Sequence, residues 1–490
     1  MRKLAVTASI LVYGMAAVPA GAEDTPTYNG IVGKLLLDNC ASCHRPDQVA
    51  PMSLLSYDEA RPWARAIKAK VEAREMPPWF ADPRFGKFSN DSSLSDAEIA
   101  AVVAWVDAGA PEGDGAAPEP PQFSDSGWSP PSGLPPDFIY EFPIEWHIEP
   151  EGETPNFNVY TPLPFDDPMW VTATEVHPGN RAVTHHITTG ITNLPPSMKI
   201  GTGPVWPGGP VADYVLVPDP DANGEDSRPD PALQHSDQVT RGEVSDGFST
   251  GFGTYVPGKS LTERREGYVQ AIRGDLFTHI RWNLHYQATG KPETARPRVG
   301  AWTAAEPDNA KFARRQMPLK EYTSEGRTLV APPPPSSPEE ARALAESILI
   351  NQNLNPLLAP IPPHEANWTV TGIGAFQSDS FLQDIWLHAH TRGKDFTCVL
   401  TYPDGREEIV LRVANYSFDW QYRYYFEEPP IVPAGSTLKV IARYDNSRAN
   451  RSNPAPHKPG YWSEQSWDDM FVVSAGYTVA GDDDTTAGQD

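Results

Sequence analysis

Cys40-Ala41-Ser42-Cys43-His44 is the segment whose residue types most directly imply chemistry. Two thiols with two residues between them can add to the vinyl groups of a haem, and the following histidine can reach the iron from one face. The same cysteine spacing also serves zinc binding or thiol redox work. His44 and the helical patterns on either side favour haem attachment. The other axial position calls for a soft or imidazole donor. Met76, in Arg74-Glu75-Met76-Pro77-Pro78-Trp79, is the candidate, since its prolines can hold a loop against the ring and a thioether suits an electron carrier. Met52 competes, but stands only eight residues beyond His44, which makes wrapping to the opposite face harder.

Two histidine groups lie further on. Thr184-His185-His186-Ile187 places two imidazoles side by side, and adjacent strand residues point to opposite faces. Both rings can meet one metal only where the strand bends or ends. His279, Arg281, Asn283 and His285 alternate along an expected strand and can share a face, so one of these histidines can complete a three-imidazole site. His388-Ala389-His390 puts two imidazoles on one strand face, ready to chelate, and copper accepts such ligands well. His177, His235, His364 and His457 have no assigned role.

The elements that must position these groups change character along the chain. Helical patches are expected at Ile31 to Asn39, Tyr57 to Arg74 and Ser95 to Ala108. The last opens with Ser95 and has Glu98 three residues later, a capping-box pattern, followed by an apolar stripe of Ile99, Val102, Val103 and Val106. Residues 109–136 are rich in Gly, Pro, Ser and acidic residues and read as a linker. Beta-rich runs then follow, among them Trp170 to Val176, Tyr268 to Tyr286, Thr397 to Val413 and a block from Trp368 to Val479. A Pro-rich break at Pro332 to Pro335 precedes a short helix expected at Pro338 to Ile348.

Arg2 and Lys3, an apolar run from Leu4 to Val18 and the small residues Ala20-Gly21-Ala22 form the pattern of a cleaved export signal. No later stretch is apolar for long enough to cross a bilayer, so no stable membrane insertion is expected. The balance of 39 basic against 64 acidic residues, a net charge of -25, opposes binding to nucleic acid or an anionic membrane. With Cys40 and Cys43 claimed by the haem motif, Cys398 is left over and is expected to be a small buried apolar residue. Export, haem attachment and few disulfides together point to the periplasm.

Several of these segments also carry a resemblance. Met76-Pro77-Pro78-Trp79, Asn90, Leu94 to Ile99 and Trp105 to Gly109 are similar to the cytochrome c domains ahead of bacterial copper monooxygenase-like proteins. From Phe138 to Tyr477 the chain resembles the copper type II, ascorbate-dependent monooxygenases, which include the peptidylglycine and dopamine beta-hydroxylating enzymes. The features are His185-His186, Leu284-His285-Tyr286 with Gly290, His388-Ala389-His390-Thr391 with Gly393-Lys394, Tyr444-Asp445-Asn446-Ser447 with Asn453-Pro454, and Asp469-Met470.

That resemblance implies an all-alpha cytochrome c domain followed by two all-beta, jelly-roll-like sandwich copper domains. The expected layout is a signal at 1–22, the cytochrome at 23–112, a linker at 113–137, copper domains at 138–330 and 361–480, a connection at 331–360, and an acidic tail at 481–490. It also implies a covalent haem c and two coppers on separate domains across a solvent cleft. His185, His186 and His285 would hold an electron-transfer copper, while His388, His390 and Met470 would hold the copper that meets O2. The implied activity is monooxygenation of a C–H bond in a small organic substrate, with electrons from an external periplasmic donor entering through the haem. The peptide-hydroxylating pattern expects an arginine where this chain has Trp386, and an asparagine and a tyrosine where it has Val472 and Ser474. An apolar or aromatic substrate is therefore expected. The alternative is a periplasmic electron-transfer or copper-binding protein without monooxygenase turnover.

Overall fold

The computed structural model describes residues 25–480 except 47, 49, 124–127, 129–133, 153–154, 195–197, 206–208, 221–248, 258–259, 265–268, 306–314, 318–320, 325–326, 331–357 and 463–465. The expected export signal, the helix at Pro338 to Ile348, His235 and the acidic tail lie outside the described residues.

The helical part begins with a π-helical turn at Tyr28–Val32, capped by the Thr27 side chain, and runs into a helix at Gly33–Asn39 that delivers Cys40. The expected helix from Tyr57 to Arg74 is broken into Tyr57–Ala60, a 3-10 turn at Arg61–Trp63, and Ala64–Glu72. Pro62 explains the break, because it lacks an N–H and its ring crowds the preceding turn. Asp96–Asp107 forms as expected: the Ser95 side chain accepts from the Glu98 amide, and the Glu98 carboxylate accepts from the Ser95 amide at 2.8 Å. Its buried face is Val102 and Trp105, packed with Tyr28, Leu35, Leu36 and Ile67.

Beyond the helices, the described residues form four antiparallel multi-stranded sheets and two two-stranded ribbons. The first sheet runs Phe138–Glu141, Arg298–Ala304, Pro168–His177, Gln270–Arg273, with Leu261–Glu263 also on Pro168–His177. The second runs Phe157–Pro162, His279–Tyr286, Thr184–Thr192, Ser249–Tyr255. Arg315–Met317, Val472–Val479, Ser380–His388 and Arg423–Tyr425 make the third, joined by Ile431–Val432. The fourth runs Arg327–Val330, Glu321–Ser324, Trp368–Ala375, Thr437–Tyr444, Gly393–Thr401, Glu407–Val413.

The expected jelly-roll copper domains are corrected by these strand orders. A jelly roll divides eight strands between two sheets, whereas these four sheets hold five, four, five and six strands. The resemblance rested on histidine motifs, and short motifs do not set which strands pair.

Alternation explains which face each strand buries. Thr437–Tyr444 alternates strictly between partly and fully buried positions. Side chains of the first two sheets fill one core around Phe157, Ile187, Trp282 and Val299. The third and fourth sheets fill another around Leu382, Phe396, Cys398 and Val440, where Cys398 is fully buried as expected. The run Thr397 to Val413 is a hairpin, turned at Gly405, whose φ of 84° favours glycine.

The helical part is bound to the third and fourth sheets by the segment that follows Met76. Ala81 pairs with Val413 and Phe88 with Phe426 as antiparallel bridges. Asn90 donates to the Arg423 carbonyl at 2.8 Å and accepts from the Tyr425 amide at 3.1 Å. Trp79 is buried in the core of those sheets, with ring centroids 5.0 Å from Tyr424 and 5.8 Å from Tyr422. Trp128, inside the stretch expected to be a linker, is also buried, against Ala173 and Trp302.

Candidate metal centre

The first histidine group is assembled by a strand irregularity. His285 pairs with His186, but the next residue, Tyr286, pairs with Thr184, so His185 is an extra residue in its strand. Such a bulge rotates the chain locally. It meets the condition that a bent strand sets for two adjacent imidazoles to serve one ion. Candidate ligand atoms of His185, His186 and His285 lie within 4.8 Å of one another, and all three residues are buried. His279, at the far end of the same strand, is instead bonded to the Thr278 hydroxyl at 2.7 Å.

The electrostatics favour neutral imidazoles with lone pairs to offer. Burial pushes His185 down to about 4, helped by His388, and His186 down to about 3, helped by His185. Nε2 of His186 lies 3.1 Å from Asn283 Oδ1. A proton on that nitrogen leaves Nδ1 free to ligate, 3.2 Å from His185 Nδ1. His185 Nε2 is buried without a hydrogen-bond partner.

The second group stands at the end of Ser380–His388. The His388 and His390 rings are 5.1 Å apart. Nδ1 of His388 lies 2.6 Å from Gln421 Oε1, which directs Nε2 away as the ligand atom. Burial pushes His388 down to about 4 and His390 well below the usual range. Nδ1 of His390 is buried without a hydrogen-bond partner. Behind the pair, Asp469 accepts from the amides of His390 and Arg392 at 2.9 and 3.1 Å. The Arg392 side chain reaches Asn446 Oδ1 at 2.8 Å and the Trp467 carbonyl at 2.8 Å. Met470 is partly buried and its carbonyl accepts from the Tyr444 hydroxyl at 2.8 Å.

The two groups meet. The Phe418 ring lies 4.5 Å from the His185 ring and 5.3 Å from the His390 ring. This contact replaces the solvent cleft expected between two copper domains. Trp386 stacks on His388 at 5.4 Å, Val472 pairs with His388 across the strands, and Ser474 is buried and accepts from Arg423 at 3.4 Å. Of the positions expected to shape a substrate pocket, Trp386 and Val472 thus lie beside His388 and Ser474 lies beside Arg423.

Around the haem motif, His44 Nδ1 lies 3.3 Å from the Met52 carbonyl, which leaves Nε2 for an axial role. Met76 follows the helix Ala64–Glu72 and is partly buried. Cys43 lies within electrostatic reach of Arg181, Tyr255 and Tyr422, which belong to the segments that precede His185, pair with its strand and follow Phe418.

Sequence reasoning missed the loop at 414–422, which carries Phe418, Gln421 and Tyr422. Loop residues between strands follow no period, and nothing in their spacing marks them. Asn283 was within reach, since it alternates with His285 on one strand.

Residues 32–109 match the family model for cytochrome c. No curated protein matches. Among solved structures, an allantoicase is 12% identical with a TM-score of 0.16, covering 61% of this chain and 80% of its own. Allantoicase from Saccharomyces cerevisiae is 10% identical with a TM-score of 0.15, over 61% of this chain and 80% of its own. The N-terminal CBM22-1-CBM22-2 tandem domain from Paenibacillus barcinonensis Xyn10C is 9% identical with a TM-score of 0.16, over 67% and 79%. None of these carries a functional argument. The expected membership of the copper monooxygenases, and the enzyme activity it implied, are corrected accordingly: the family match stops at residue 109, and the sheets are not jelly rolls. The chain thus joins a cytochrome c domain, with its capacity for haem, to a β region holding a three-histidine cluster that can bind a metal.

Proposed function

We propose that this protein is an electron-transfer protein in which a haem c and a three-imidazole metal centre exchange single electrons. The observation that carries this reading is the electrostatic proximity of Cys43 to Arg181, Tyr255 and Tyr422, with Tyr255 paired to Ile187 on the strand that holds His185. Cys40 and Cys43 would hold the haem covalently, and His44 and Met76 would be the residues that hold its iron; when bound, the haem supplies one-electron redox chemistry. His185, His186 and His285 would hold a redox-active transition metal, copper being one that takes such a set. His388 and His390 are a second candidate set, and Met470, distant in sequence, follows the Asp469 that accepts from the His390 amide.

The chain's own residues prepare these sites. Asn283 and Gln421 fix ring orientation through the nitrogens turned away from the ligand side. The Phe418 and Trp386 rings pack against His185 and His388. Among the described residues no helix is long and apolar enough to cross a membrane. The expected export signal supports a periplasmic location, with reduction by an external donor there.

Flash reduction of the haem in metal-loaded protein tests the reading. Haem reoxidation at a rate independent of protein concentration is expected, and it should vanish in His185→Gln/His285→Gln. Equal reoxidation in that variant would sink the proposal.

A further inference from the structure

Arg281 stands on the face of His279–Tyr286 turned away from the core, because Ile280, Trp282 and Leu284 fill the other face. Across the sheet it is paired with Tyr160 on one side and Gly190 on the other, and Gly190 is paired with Gly251. Directly paired residues point to the same face. The guanidinium therefore has a tyrosine position on one side and, on the other, two positions without a side chain. Gly190 is the buried floor and Gly251 the exposed lip, where a Cβ would meet nothing within 4 Å. The result is an open shelf with one cation at its edge.

Arg273, Arg296, Arg423 and Arg443 each meet a carboxylate. Arg281 meets none among the described residues, and its Nε is buried without a hydrogen-bond partner. A buried charged donor left without an acceptor is costly. The adjoining rows, Asn158–Asn283–Thr188 and Pro162–His279–Thr192, hold no acidic residue. Burial lowers His279 from its ordinary value, so it adds no charge at neutral pH. We propose that this shelf binds a small organic carboxylate as a monoanion, with Arg281 as its anchor. A planar carboxylate takes Nε and one Nη side-on, which supplies the missing acceptor, and the glycines leave the side chain room to turn toward it. With no second cation in these rows, a dianion such as phosphate is only half neutralised. His285 is four strand positions away, about 13 Å, so the shelf is separate from the three-histidine cluster and does not depend on a metal there.

Isothermal titration calorimetry of benzoate into the full haem-loaded chain tests this, with benzamide and inorganic phosphate as comparisons. Benzoate is expected to fill one site, and Arg281→Gln to weaken it by about 10–100-fold, the usual scale for losing a hydrogen bond to a charged group. Gly251→Val keeps the charge but fills the shelf, at a position with open space for a side chain. It should weaken benzoate by a similar factor. Benzamide has the shape without the charge, and it and phosphate should each bind about tenfold more weakly than benzoate. Absence of benzoate binding to wild type would overturn the proposal, as would unchanged affinity in Arg281→Gln. Benzamide or phosphate binding as tightly as benzoate would overturn the carboxylate assignment. Weakening in Arg281→Gln alone, with Gly251→Val at the wild-type value, would overturn the shelf as the seat of the ligand. Circular dichroism melts check folding; if Arg281→Gln does not fold, Gly251→Val and the benzamide comparison decide.

Discussion

His186 and His388 each depend on a neighbour that takes no part in ligation. Asn283 accepts from one nitrogen of His186 and is itself bonded to Asn158 at 3.0 Å, so its own orientation is fixed. Replacing it with leucine should keep its approximate size, free the His186 ring to rotate, and weaken metal binding by ~10–100-fold, the usual cost of losing such support. Competition with a chromophoric chelator would measure it; an unchanged affinity would show that the bulge alone orients the ring. Gln421 does the same for His388, and Gln421→Leu should lower affinity at the second set while sparing the first. The adjacency of His185 and His186 was visible in the sequence, but the bulge that turns both to one side was not. A bulge is fixed by pairing with His285, nearly a hundred residues away.

At the scale of elements, the segment from Trp79 to Asn90 ties the cytochrome to the sheets. Trp79 is 7% exposed, so Trp79→Ala should cost ~3–5 kcal/mol through lost burial and the cavity left behind. Urea unfolding followed separately at the haem and by far-ultraviolet circular dichroism should then lose its coincidence, because the two parts are no longer held together. The same segment gives an acid dependence. Hydrogen bonds from the Arg84 side chain hold the Asp82 carboxyl down to about 2, against an ordinary value of 3.8. A depressed folded value means a contribution that is present above about 4 and lost as pH falls toward 2. Asp82→Asn should flatten acid unfolding in that window, and a variant with the wild-type profile would refute the assignment. Helix ends were legible here, since the capping box of Ser95 and Glu98 is a local pattern. The docking of residues 79–90 was not, because bridges such as Ala81 to Val413 join segments more than three hundred residues apart.

For the whole molecule, the net charge of -25 sets how a partner approaches. A basic redox protein should reduce the haem faster than an acidic one at low salt. The difference should collapse as ionic strength rises past ~0.15 M, where the screening length is about 8 Å. Stopped-flow reduction across a salt series checks this, and salt-independent rates would exclude electrostatic steering. The sequence by itself determined the haem attachment motif, the helix starts, the acidic surface and the identity of the histidines. These are properties of residue type and of contacts within a few positions along the chain. Tertiary structure alone decided that the strands form sheets of five, four, five and six rather than jelly rolls. It also decided that Phe418 stands between two histidine groups that sequence reasoning placed across a cleft. The reason is physical: pairing and packing between distant segments depend on shape and burial, which residue spacing does not encode.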